Sequence, residues 1–282
     1  MRHFIKTPTT LLAFLKTVYP DSSNNTLKQI LENDRAYVNG TVCRIGKRPL
    51  NEGDVVEIGK KVLRPLHPSL KLVHEDKDLI VIEKPEGLLT IGTDKEKERT
   101  VYAYLYDYVK GKDPHGRIFI VHRLDEGTSG LLMVARNKEA QEIMKRQFAA
   151  REVERRYIAV AEGIFKQKKG TIAGYLYEDP RLKVHMSNDP GKGEKAVTRY
   201  SILKEINGRS IVDVELETGK RAQIRVQLAF IGHPIVGDIK YGAETDPHER
   251  IMLHAYRLSF NHPTSGEKLT FESKPPSEFF SK

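Results

Sequence analysis

The sequence predicts an α+β protein in two parts: a small N-terminal αβ unit, then a larger unit built on a largely antiparallel mixed sheet with flanking helices. Three observations lead there. Apolar residues at helical spacing occur twice before residue 32, then give way to short strand-like runs around the dipeptide Asn39-Gly40. The polar stretch Leu63-Arg64-Pro65-Leu66-His67-Pro68-Ser69 carries two prolines and reads as a linker. Beyond it, β-rich runs follow one another through short connections with few helices, which favours hairpins over βαβ crossovers. The expected boundaries are 1–62 for the first unit, 63–69 for the linker and 70–282 for the second.

In the first unit, Leu11, Leu12, Phe14 and Leu15 share one helical face, and Leu27, Ile30 and Leu31 share another. The polar run Asp21 to Thr26 separates them, with Thr26 as the expected N-cap of the second helix. Ala36-Tyr37-Val38, Asn39-Gly40 and Thr41-Val42-Cys43 predict a hairpin, because Asn and Gly tolerate the positive φ of a tight turn. Pro49 to Ile58 closes the unit with another strand.

In the second unit, Asp78 to Glu83 reads as a strand that ends at the turn Lys84-Pro85-Glu86-Gly87. Strands are also expected at 118–121, 131–134, 157–161, 197–204, 210–216, 251–260 and 268–271. Lys138 to Ala149 predicts a helix burying Ala140, Ile143, Met144 and Phe148. Leu216 to Leu228 reads as a strand end, a turn at Gly219 and a helix.

The chain has 282 residues and a net charge of +9. Residues 1–66 hold 11 basic against 6 acidic side chains, and the other 216 hold 36 against 32, so positive charge is denser at the N-terminus. Such a surplus suits a polyanion, whose counterions are released on binding, although a merely soluble basic surface would look the same. One cysteine, Cys43, excludes an internal disulfide and a Cys-cluster zinc site, and no His-Glu-x-x-His pair is present, so no metal is expected. With no apolar run of spanning length and no secretory pattern at Met1 to Lys6, a soluble, cytoplasmic protein is expected, as a monomer.

The most informative stretch is His122-Arg123-Leu124-Asp125-Glu126-Gly127-Thr128-Ser129-Gly130, between two strand-like runs. In extended chain, residues two apart face the same way, so Arg123 and Asp125 can share a cleft while Leu124 packs behind and Glu126 points elsewhere. An arginine beside a carboxylate keeps it ionised against burial; equally, the two can form an ordinary ion pair at a strand end. Downstream, Lys220, Arg221 and Arg225 cluster at the Gly219 turn, where they could hold a phosphate, a carboxylate or both.

The string Val121 to Ala135, with His-Arg-Leu-Asp, two variable residues and Thr-Ser-Gly-Leu, resembles the catalytic motif of RluA-type pseudouridine synthases; His122 favours that branch over the RsuA type. Arg155-Arg156-Tyr157-Ile158-Ala159 and Thr218-Gly219-Lys220-Arg221-Ala222-Gln223-Ile224-Arg225 are similar to two further family motifs. The blocks Gly232 to Gly242 and Leu253 to Pro263 follow in the family's order, so the resemblance covers nearly all of residues 70–276. The order of two helices, Val38-Asn39-Gly40 and Leu50-x-x-Gly53-Asp54-x-Val56 resembles the S-four RNA-binding domain.

These resemblances imply an isomerase that converts specific uridines in structured RNA to pseudouridine without a cofactor. They imply Asp125 as the catalytic carboxylate, Arg225 as its ion-pair partner, Tyr157 as a residue that stacks on the base and takes part in proton removal, and Arg123 as the side chain filling the space left by a flipped base. His122, Lys220 and Arg221 are the accompanying substrate contacts. Lys28 and Arg35, with Arg44, Lys47 and Arg48, are nominated to meet RNA. Attack at C1′, addition at C6 and a glycal route all stay open. Lys220, Ala222 and Gln227 depart from the Arg, His and His that are frequent in the family, which bears on RNA contacts and not on the reaction. Ribosomal RNA of the large subunit is favoured over transfer RNA by analogy with enzymes of this domain combination.

Other classes fit less well. A non-catalytic RNA-binding or assembly factor has no need of Asp125, Tyr157 and Arg225 together. A glycosidase needs two carboxylates facing each other, whereas Asp125 and Glu126 diverge. The His-Arg-Leu-Asp string lacks the Gly-rich loop and Asp-Phe-Gly of kinases, and Gly219-Lys220-Arg221 lacks the Ser or Thr of a P-loop.

Overall fold

The computed structural model describes residues 2–32, 35–59, 70–94, 96–113 and 115–281, and the chain divides into two compact units, Met1–Arg64 and Pro65–Lys282. The expected linker at 63–69 lies outside the described residues.

The first unit runs β1 (Arg2–Phe4), β2 (Thr9–Thr10), α1 (Leu11–Val18), α2 (Asn24–Glu32), β3 (Ala36–Val38), β4 (Thr41–Val42), β5 (Pro49–Leu50) and β6 (Val55–Ile58). An antiparallel sheet in the order β1-β6-β3-β4 and the small β2-β5 pair support the two helices. Leu11 and Leu15 of α1, Leu27, Ile30 and Leu31 of α2, and Val38 and Val56 form one core. Helix α2 starts earlier than expected: the amide of Thr26 donates to Ser23 Oγ at 3.2 Å, so Ser23 and not Thr26 caps it. The turn residues Asn39 and Gly40 have φ of +51° and +80°. Asn39 also ties the hairpin to the Gly53-Asp54 turn, donating to Asp54 Oδ1 and accepting from the Val55 amide, each at 2.8 Å. The β4 strand stops before Cys43, which is half-buried at the core edge, and Val42 is exposed.

The second unit comprises β7 (Lys71–Glu75), β8 (Leu79–Lys84), α3 (Val101–Lys112), β9 (Phe119–Ile120), β10 (Ser129–Ala135), α4 (Lys138–Ala149), β11 (Glu154–Glu162), β12 (Lys169–Glu178), β13 (Val184–Ser187), β14 (Glu194–Ile206), β15 (Arg209–Leu216), α5 (Gln223–Phe230), β16 (Leu253–Asn261) and β17 (Lys268–Glu272). Eleven strands make one sheet, ordered β13-β12-β14-β15-β11-β16-β10-β8-β7, with β17 on β16 and β9 on β10. Among these pairings only β10 with β16 is parallel; the rest are antiparallel, as the short connections predict.

Helix α3 was hidden in the sequence by Tyr102, Tyr104, Tyr106 and Tyr108, whose spacing of two imitates a strand. Its buried positions Val101, Leu105 and Val109 recur every four residues, and Thr100 Oγ1 caps it by accepting from the Ala103 amide. Helix α4 has the expected bounds, but its buried face differs. Gln141 and Gln147 are buried beside Ala140 and Met144, while Ile143 and Phe148 are only half-buried. The glutamines pass inward because they donate to the carbonyls of Ile120 and Asn261, which meets the polar cost of burial. Strand β12 was concealed by Gly170 and Gly174, which read as strand breakers. A Cβ at Gly174 would lie 2.3 Å from Met186 Cε, so the glycine makes room for close cross-strand packing.

Candidate active site

Asp125 sits in the loop between β9 and β10, and both its neighbours are held. The Leu124 amide and carbonyl bond to Thr90 Oγ1 at 3.2 and 2.7 Å. The Glu126 carbonyl accepts from the Gly87 amide at 2.9 Å and from Lys84 Nζ at 3.1 Å. Lys84, 1% exposed, also donates to the carbonyls of Pro85 and Leu88, so one ammonium fastens the end of β8 to the Asp125 loop. Burial, partly opposed by the Asp125 carboxylate, lowers the Lys84 pKa to about 7.

The sheet then brings the other residues to this loop. At Gly130, φ is +112°, and a Cβ there would lie 2.2 Å from the Ala255 carbonyl oxygen, so only glycine lets β10 run parallel against β16. Gly130 pairs with Ala255, and Ala255 pairs with Tyr157 of β11, which sets three strands side by side under the cleft. The β11–β16 register shifts between Arg156 and Tyr157, a bulge of the kind that re-aims side chains beside a site.

Arg225 enters from α5. Before that helix Ala222 takes φ of +52°, and the Gln223 amide group bonds Thr218, Lys220, Val197 and Thr198, fixing the turn. Gln227, buried, donates to the carbonyls of Ile172 and Ala196. The two glutamines therefore hold the helix to the sheet.

A cleft of about 370 Å³ results. Arg123, Asp125, Tyr157, Lys220, Arg221 and Arg225 all line it, together with His122 and with Leu124 behind the motif. Asp125 is the one carboxylate among its lining residues; Glu126 is exposed and faces away, as the spacing predicts. The Arg225 Nη1 to Asp125 Oδ2 distance is 3.3 Å. Arg225 is also held by Asp238, 1% exposed, through Nε and Nη2 at 2.7 and 2.8 Å, and its guanidinium lies 5.0 Å from the Tyr241 ring centroid. Burial opposes its charge, but the hydrogen bonds and charge of Asp238 and the charge of Asp125 more than offset this, so its pKa is raised.

Tyr157 is 6% exposed. Burial raises its pKa, the nearby Arg155 opposes the rise, and Asp125 adds to it, so the side chain is a phenol at neutral pH. His122 serves the scaffold as well as the cleft: Nε2 accepts from the Met133 amide at 3.0 Å and the ring packs on Phe148. Burial, helped by Arg155, lowers its pKa to about 3, so it is neutral. Lys220 pairs with Glu194 and Arg221 with Glu178, each at 2.6 Å. Arg123 is exposed and has neither a hydrogen bond nor an ion pair with any of the described residues.

Sequence reasoning missed Asp238, Lys84 and Arg155. A signal for Asp238 was available, since a half-buried guanidinium turned toward Asp125 needs an anion for its other edge, and Asp238 lies in the stretch Gly232 to Gly242. The cluster of Asp76, Asp78 and His262 has metal-like spacing but lies outside the cleft. Asp76 Oδ2 bonds both His74 and His262, and Asp78 bonds Asn137 and Thr264, so hydrogen bonds account for these groups.

In the first unit, Lys28, Arg44, Lys47 and Arg48 are exposed. Arg35 is half-buried and donates from Nε to the Gly59 carbonyl at 3.1 Å, so part of its guanidinium closes the fold.

A lone carboxylate oriented by one arginine, in a cationic cleft with a buried aromatic floor, suits an enzyme that rearranges a base of a polyanionic strand. The comparisons agree. Residues 78–230 match the RNA pseudouridylate synthase family, and the chain belongs to that family. It is 34% identical over 287 residues to an uncharacterized RNA pseudouridine synthase of Aquifex aeolicus, covering 94% of this chain and 90% of the relative. Identity is 33% over 283 residues, with coverage of 94% and 86%, to ribosomal large subunit pseudouridine synthase D of Escherichia coli O6:H1. A solved structure, human RNA pseudouridylate synthase domain containing 4, overlays with a TM-score of 0.61 at 25% identity, covering 74% of this chain and 90% of that one. The protein is an RNA pseudouridine synthase of the RluA type, and RNA is its partner.

Proposed function

We propose that this enzyme isomerises specific uridines of large-subunit ribosomal RNA and that Asp125 is its catalytic carboxylate. The observation that carries this reading is the Asp125–Arg225 contact at 3.3 Å inside a cleft with no other carboxylate among its lining residues. The relatives named ribosomal large subunit pseudouridine synthase D support the choice of RNA.

The reaction moves C1′ of ribose from N1 to C5 of the same uracil. The electron pair of the broken bond goes to N1, the base rotates, C5 bonds to C1′, and the C5 proton leaves while N1 gains one. Asp125 assists separation and rejoining, and Arg225 aims it. Tyr157 packs against the base; as a phenol it positions the uracil and does not act as a resting base. A stacked uracil is out of reach, so the nucleotide is flipped at a cost of a few kcal/mol, and Arg123 fills the vacated space. The first unit acts as an S-four-like RNA-binding module, with Lys28, Arg35, Arg44, Lys47 and Arg48 meeting phosphates.

The test is tritium release from C5-labelled uridine in unmodified ribosomal and transfer RNA transcripts, with wild type and Asp125→Asn. Release by the wild type alone, from large-subunit RNA, is expected. Release only from transfer RNA would overturn the choice of RNA, and undiminished release by Asp125→Asn would remove the carboxylate from the chemistry.

A further inference from the structure

Among the cations lining the cleft, Arg123 is exposed, whereas Arg155 is buried with no carboxylate partner among the described residues. Arg155, in β11 two residues before Tyr157, is 9% exposed and lines the cleft. Its Nε is buried with no hydrogen-bond partner, and no carboxylate among the described residues pairs with the side chain. Its contact is the Phe148 ring, with the guanidinium 5.2 Å from the centroid. Arg225, Lys220 and Arg221 beside it are each bound to carboxylates. Burial accordingly lowers the Arg155 pKa, with only a partial counter-effect from Tyr157.

A buried guanidinium without a counter-anion is costly, and an anionic ligand in the cleft would offset that cost. The turn above it is shaped around it: a Cβ on Gly219 would lie 2.3 Å from Arg155 Nη1. The strand that delivers a flipped nucleotide carries one permanent anion per residue, whereas the uracil and ribose are neutral.

We infer that Arg155 is a substrate-binding residue that takes a phosphodiester oxygen of the RNA strand entering the cleft, beside the base held over Tyr157. A guanidinium suits this ligand because its planar fork meets two phosphate oxygens. The inference rests on the cleft being the pseudouridine synthase site proposed above.

The test uses the full-length protein and measures binding of an unmodified large-subunit ribosomal RNA transcript across a salt series. The variants are Arg155→Met, which removes the charge, and Gly219→Ala, which displaces the guanidinium while keeping it. Losing one phosphate contact lowers the slope of log affinity against log salt by about 0.7 to 0.9. Both variants are expected to show that drop, a weaker affinity and a raised KM. Arg155→Met is further expected to keep or raise the wild-type Tm, since it removes an uncompensated buried charge. An unchanged slope in both variants, or a loss confined to kcat, would overturn the assignment. So would a large fall in Tm for Arg155→Met with binding unchanged in Gly219→Ala, since Arg155 would then be a packing residue. Wild-type tritium release in the same preparations separates the two proposals: release with an unchanged salt slope refutes only the role of Arg155, and no release from any transcript refutes the site.

Discussion

Asp238 holds one edge of the Arg225 guanidinium through Nε and Nη2, at 2.7 and 2.8 Å, and leaves Nη1 to reach Asp125 at 3.3 Å. The tighter partner of the arginine is thus the carboxylate outside the cleft lining, and it sets the direction in which the remaining N–H points. Asp238 thus orients the Arg225 guanidinium toward Asp125.

Asp238→Asn retains one acceptor and loses the charge. Its kcat in a tritium-release assay is expected to fall about 100-fold, the scale of an ångström-sized misplacement, while KM for RNA changes little. Unfolding in urea should show a loss of about 3 kcal/mol, because Asp125 is then the one anion left to the Arg225 guanidinium among the described residues. A variant with unaltered kcat would show that Asp125 needs no such orientation.

Arg123 is exposed in the cleft and unpaired, so its removal exposes no buried partner. Arg123→Ala is expected to leave Tm within about a degree of wild type, a surface change of small effect. Turnover should fall further on folded RNA than on a short flexible oligonucleotide, because only the former has a stack to refill. Equal losses on the two substrates would count against that role.

Gly130 and Gly87 both have positive φ, +112° and +70°, but only Gly130 is hemmed in, by the Ala255 backbone. Gly130→Ala should cost more than ~3 kcal/mol, through backbone strain plus a forced separation of β10 from β16. Gly87→Ala, with nothing within 4 Å of its Cβ, should cost about 1 kcal/mol. Soluble yield and urea midpoints of the two variants provide the check; similar values would mean that the parallel pairing tolerates a side chain.

Two histidines, the buried His254 and the half-buried His122, predict acid sensitivity. His254 bonds Ser129 and Ser273 through its two nitrogens, and burial is the main cause that lowers its pKa to about 4. His122 is lowered to about 3. The unfolded chain takes up these protons near pH ~6.5, before the folded one does, so their contribution is full above that pH and is lost as pH falls toward 4 and then 3. For His254 the loss is on the order of 3 kcal/mol. Urea midpoints should therefore fall between about pH 6.5 and about pH 4.5, less steeply for His254→Gln. A midpoint independent of pH across that window would contradict the prediction.

Much of the site was legible because its parts are local. A spacing of two in extended chain puts Arg123 and Asp125 on one cleft and turns Glu126 away, whatever the rest of the fold does. Helix α4 was readable to its ends, as its cap and periodicity are sequence properties. Helix α3 was not anticipated, since tyrosines alternate along it and the core selects Val101, Leu105 and Val109. The pairing of Asp125 with Arg225 rested on family resemblance, for nothing local to either residue implies a contact 100 positions away.

The sequence by itself determined the two-part α+β organisation, the strand-rich second unit and the shared facing of Arg123 and Asp125. It did so through periodicity, turn chemistry and motif, which act over a few residues. Tertiary structure alone decided that Asp238 orients Arg225, that Lys84 fastens the Asp125 loop through three carbonyls, and that Arg155 is buried without an anion. Each of these depends on which polar groups are denied water together. That follows from long-range packing of strands such as β10 and β16, which a linear reading of the chain does not contain.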